Sequence, residues 1–129
     1  MNVLRKWTAS WLALAAFVIA VGGSASAGEY AGSLTVGRMF FSAGPGTQTI
    51  ILFAVTPPPS QTCSYYGVQF QFDTSTPQGK SWYALLLTAK ATGKPIDIWY
   101  ENSTTPGTNE TNGCTPSTVS VVDAIGLSN

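Results

Sequence analysis

Asp97 and Glu101 flank Trp99 in the stretch "IDIWYE" and form the candidate catalytic pair of this chain. Two carboxylates on one face of a strand can supply the acid and base of a glycosidase. The other common catalytic groups are missing from the composition: 129 residues contain no histidine and only two cysteines, Cys63 and Cys114. Without histidine, Ser–His and Cys–His nucleophiles are excluded. Two cysteines alone also leave a zinc site short of ligands. Charged residues are ordinary on the wet face of a strand, so no residue is assigned a catalytic role, and no metal or cofactor is expected. Gln78-Gly79-Lys80-Ser81 has the ending of a phosphate-binding loop, but Thr74 stands where that motif needs its first glycine.

Binding chemistry is better supplied than catalysis. If Ile96, Ile98 and Tyr100 face a core, the strand alternation turns Asp97, Trp99 and Glu101 outward. An exposed indole beside acceptors is what a sugar-binding surface or a protein interface uses. If the strand is packed on both sides, Trp99 is core.

The elements that would position these residues can be read in order. Gly32 to Phe41 alternates Leu34, Val36 and Arg38 against Ser33, Thr35 and Gly37, a strand with one buried face. A turn-rich stretch from Ser42 to Thr47 leads to Gln48–Val55, an apolar run too short for an independent helix and read as a second strand. Three prolines, Pro57 to Pro59, then form a stiff connection. Tyr65 to Phe72 reads as a third strand with Tyr66, Val68, Phe70 and Phe72 on its buried face. Thr76 and Pro77 suit a helix start, Trp82, Leu85, Leu86 and Ala89 make one apolar stripe, and Gly93 with Pro95 ends the helix. Ile96 to Glu101 is the fourth strand and Thr118 to Leu127 the fifth. The intervening polar segment, Asn102 to Ser117, is expected on the surface.

Residues 1–27 carry Arg5 and Lys6, an apolar run from Trp11 to Val21, and a small-residue ending Ala25-Ser26-Ala27. This is the pattern of an export signal cut after Ala27, leaving a single domain from Gly28 to Asn129. The apolar run is shorter than the roughly 20 residues needed to span a bilayer. Two of the six basic residues lie in that signal, so the remaining four face six acids and the net charge becomes 4 − 6 = −2. A charge-poor, mildly acidic domain has no footprint for nucleic acid and no basic patch for a membrane surface. The expected location is secreted or periplasmic, where Cys63 and Cys114 would pair.

Three strands, a helix and two strands is the element order of a five-stranded OB-fold barrel, in which the helix plugs one end; a small α+β sandwich is the alternative. The helix running into "ATGKPIDIWY", the cysteine-bearing loop and the last strand "VSVVDAIGL" resemble the second half of the B subunits of bacterial exotoxins of the subtilase cytotoxin and typhoid toxin type, and a broader set of small exported bacterial proteins. That resemblance implies an OB barrel, assembly into a ring of subunits and binding of host glycans. Three readings follow: a non-enzymatic glycan-binding module, an exported domain that binds or inhibits another protein, and a small hydrolase using Asp97 and Glu101. Reduction of the native protein is expected to add two hydrogens to its mass, and an unchanged mass would rule out the Cys63–Cys114 link.

Overall fold

The computed structural model describes residues 28–43, 46, 48–107 and 113–129. The expected export signal, residues 1–27, lies outside the described residues. The elements run β1 (Glu29–Phe41), β2 (Ile50–Thr56), β3 (Phe70–Asp73), α1 (Pro77–Thr92), β4 (Ile96–Tyr100) and β5 (Ser120–Leu127). The chain is therefore mainly β with one helix. The sheet closes on itself in the order β1-β2-β3-β5-β4 and back to β1. Every pairing is antiparallel except β3 with β5, which meet in parallel at only Phe70↔Ser120 and Gln71↔Val121.

β1 serves two neighbours. Its first half pairs with β4 and its second with β2, and the register breaks between Ala31 and Leu34 and again between Val36 and Met39. Such irregularities bend a strand, which lets one strand turn the corner of a ring. They also overturn the expected facing of Arg38. Leu34 and Val36 are buried as their alternation requires, but the second break passes the inward position to Met39 and leaves Arg38 exposed.

Inside the ring, aromatic rings meet from end to end. Trp82 of α1 packs on Phe72, Phe72 on Phe53, Phe53 on Phe70 and Phe70 on Tyr100, with centroids 5.0 to 5.8 Å apart. These spacings suit edge-on and tilted ring pairs. α1 covers one end of this core with Leu86 and Ala89, which are buried, while Trp82, Tyr83 and Leu85 pack partly against it. The helix starts where the sequence predicts: the Thr76 hydroxyl accepts from the Gly79 amide at 3.0 Å, and Pro77 occupies the first turn. It stops at Gly93, whose φ of 69° is the left-handed cap. At the far end the Tyr100 hydroxyl donates to the Ser60 carbonyl at 2.9 Å.

A second core lies outside the ring. Leu52, Cys63, Val68, Cys114 and Val119 are buried together, with Phe40, Ala54 and Tyr65 against them. This explains the unbroken apolar run of β2, which is buried on both faces. The Cys63–Cys114 disulfide forms here, closing a separation of 51 residues. In the chain-entropy account such a link stabilises by about 4 kcal/mol.

Two expectations change around this outer core. The predicted strand from Tyr65 is shorter, because Tyr65 and Val68 exchange both backbone hydrogen bonds at 3.0 Å across a two-residue turn at Tyr66-Gly67. Val68, Phe70 and Phe72 are buried, but Tyr66 is exposed at the tip. The polar segment after Glu101 is not purely superficial either. Ser103 is buried, its hydroxyl donating to the Thr118 carbonyl at 2.6 Å and accepting from the Thr105 amide at 3.1 Å. A 3₁₀ turn at Pro116–Thr118 precedes β5, which starts at Ser120.

Gly79 sits in the first turn of α1 against the end of β3, where an added Cβ would run into the Asp73 carbonyl. Glycine to alanine normally favours a helix by about 1 kcal/mol. Here Gly79→Ala is expected to destabilise by about 2 kcal/mol because the clash is with backbone. Urea unfolding checks it, and a stabilised variant would refute the close approach.

Candidate functional site

Trp99 points away from the core. Its neighbours Ile98 and Tyr100 are buried, while Trp99 keeps 42 % of its surface exposed. Directly across β1 stands Tyr30, which is 54 % exposed. The two rings pack with centroids 5.0 Å apart and a 49° tilt. On the other side of β4, Trp99 faces Ala124 and Asp97 faces Gly126. Small residues on β5 leave the indole unobstructed on that flank.

Asp97 holds the lower edge of this pair in place. Its Oδ1 accepts from the Ser33 amide at 3.1 Å and from the Ser128 hydroxyl. The Tyr30 hydroxyl lies close enough to the Asp97 carboxylate for the two to act on each other's ionisation. Gly32 makes this possible, since a side chain there would collide with the Tyr30 ring and Asp97. Ser33, at a φ of 55°, turns its amide toward the carboxylate within the first irregularity of β1.

The electrostatics follow from these bonds. The Ser128 hydroxyl, then the Ser33 amide, hold the Asp97 carboxyl below its ordinary range, against a smaller opposing effect of desolvation. Tyr30 moves the other way: desolvation first, then the Asp97 charge and hydrogen bond, push its hydroxyl up. The site at neutral pH is thus a fixed anion carrying a neutral phenol, with an indole stacked alongside.

Of the three residues expected to share this face, Trp99 and Asp97 both meet Tyr30, while Glu101 is exposed just past the end of β4. Four residues of extended strand put the Cα atoms of the two acids about 13 Å apart. Asp97 is held by Ser33 and Ser128. Glu101 borders a separate polar groove of about 160 Å³ with Asn102–Thr104 and Ser117–Val121.

Tyr30 itself was not expected here. In the sequence it shares parity with Leu34 and Val36, so plain alternation would turn it inward. The break between Ala31 and Leu34 reverses it, and no spacing in the sequence marks that break.

Comparison with known proteins finds no matching family model, no matching curated protein and no matching solved structure.

Because the bonds from Ser33 and Ser128 favour ionised Asp97, its contribution to stability is present above the unfolded aspartate pKa. It is lost as pH falls through the depressed folded value. Asp97→Asn is expected to flatten part of the acid limb of stability, measured as the denaturant midpoint against pH. Asp73, whose carboxylate accepts from the Ser75 amide at 2.7 Å and is likewise held low, keeps the rest. An unchanged acid limb would refute the role of Asp97.

Proposed function

We propose that this protein is an exported, non-enzymatic glycan-binding module whose ring is an OB-like barrel of the kind found in exotoxin B subunits. The observation that carries the reading is the exposed Tyr30–Trp99 pair braced by Asp97 on the outer face of β1, β4 and β5. Aromatic faces of this kind offer a flat apolar surface to the C–H face of a sugar ring, and nearby polar groups fix its orientation.

Other features agree with it. The helix between β3 and β4 covers one end of the ring, as the OB arrangement requires. The Thr92-Gly93-Lys94-Pro95 turn leads from α1 into β4, and β5 ends at Gly126-Leu127, matching the two segments that resemble the toxin subunits. The disulfide belongs to an oxidising, non-cytoplasmic compartment, which fits the export signal read from residues 1–27 and a secreted or periplasmic location. No helix among the described residues is long and apolar enough to cross a membrane. Assembly of several copies is part of the toxin-like reading.

A glycan array is expected to show binding by the native protein that falls about tenfold or more in Trp99→Ala and in Tyr30→Ala. Glu101→Gln should leave it unchanged. No glycan bound, together with a monomer by light scattering, would overturn the toxin-like reading in favour of an exported domain that binds another protein through the same face.

A further inference from the structure

A second cluster lies on the other half of β1, about 26 Å along the strand from Tyr30. Arg38 is the single arginine in residues 28–129, on a domain of net charge −2. Its guanidinium sits 5.7 Å from the centre of the Phe40 ring, a cation–π distance. One nitrogen lies against the Tyr66-Gly67 turn, 3.2 Å from where a Cβ on Gly67 would stand.

The turn beside it is unusual. Tyr66 and Gly67 have φ values of 45° and 79°, the mirror-image geometry that favours Asn-Gly. A ring-bearing residue at the first of these positions is strained. The strain presents a Tyr66 ring that is 64 % exposed and pinned edge-on by Tyr65, with centroids 4.6 Å apart. Tyr65 and Phe40 are both anchored in the outer core beside the disulfide. Guanidinium and phenol rings are thus held in place before any ligand arrives.

We propose that Arg38, Phe40 and the Tyr65–Gly67 turn form a second binding site, for a carboxylate borne on a ring. The planar guanidinium takes the carboxylate through two parallel hydrogen bonds, and the exposed Tyr66 ring lies along the ligand's own ring. A phosphate dianion fits less well, because a single cation faces it. Sugar acids and aromatic acids share this chemistry. The site uses none of the residues of the Tyr30–Trp99 surface, so either can fail without the other.

Side-chain NMR of the native, disulfide-linked protein tests it with four probes: glucuronate against glucose, and benzoate against benzyl alcohol. Millimolar glucuronate, benzoate or both are expected to shift the Arg38 and Tyr66 signals, while the two uncharged analogues do not. Response to glucuronate alone identifies the ligand as a sugar acid, and response to benzoate alone as an aromatic acid. Arg38→Gln should weaken binding about tenfold, with Arg38→Lys intermediate because it keeps the charge but loses the fork. Tyr66→Gly relieves the strained φ, so it should unfold at the same or a higher temperature and yet bind more weakly. Trp99→Ala should bind these probes normally. Silence toward both carboxylates, or unchanged binding in Arg38→Gln or Tyr66→Gly, would overturn the assignment.

Discussion

Ile51, Phe53 and Val55 of β2 point into the ring, while Leu52 and Ala54 point out into a second core. This strand has no wet face, and the chain must cover its outer side with segments that are not strands. A covering loop brings its own backbone amides and carbonyls, each costly to bury without a partner. Here they are paired across three segments. Ser64 and Gly107 donate to Gly107 and Thr62, Ser103 donates to Gln61, and Gln69 donates to Phe53. The buried Gln69 side chain does the same for β2, accepting from the Val55 amide at 3.0 Å where no further strand residue is available. The disulfide links two of these segments at the centre of the cover.

Covering one side makes the ring lopsided, and the lopsidedness decides where function can sit. The outer face of β2 is occupied by the outer core. The outer faces of β1, β4 and β5 around Trp99 carry only side chains, with Ala124 and Gly126 keeping the relief low. A ligand can approach the sheet directly there, and the aromatic pair is presented on that side. Rigidity comes from the same construction: β4 is held between β1 and β5, and Asp97 ties the end of β5 to the bend of β1 through Ser128 and Ser33.

The two irregularities of β1 shape both surfaces. On paper Tyr30, Leu34, Val36 and Arg38 share one face. In the folded chain the first break turns Tyr30 out while Leu34 and Val36 stay in, and the second turns Arg38 out. A strand that must leave β4 and join β2 within 13 residues cannot stay regular. The bends that close the ring therefore also place a tyrosine at one end of β1 and an arginine at the other.

Local chemistry in the sequence determined α1 almost to the residue, because capping by Thr76, Pro77 and Gly93 and the apolar stripe act within a few positions of one another. The same holds for the alternation that buries Ile96, Ile98 and Tyr100 and exposes Trp99, and for the pairing of the two cysteines. What the sequence does not carry is any effect of a distant neighbour. Tyr66 reads as a buried strand residue until Val68 folds back on Tyr65, and Asn102–Ser117 reads as surface until the disulfide and the outer core draw in Ser103 and Cys114. Asp97 reads as a free surface acid until Ser33 and Ser128, both remote in sequence, hold its carboxylate. Tyr30 becomes part of a surface only through a register break that serves ring closure. Period and propensity are properties of a segment, whereas facing, once strands must bend to close a ring, is a property of the whole sheet.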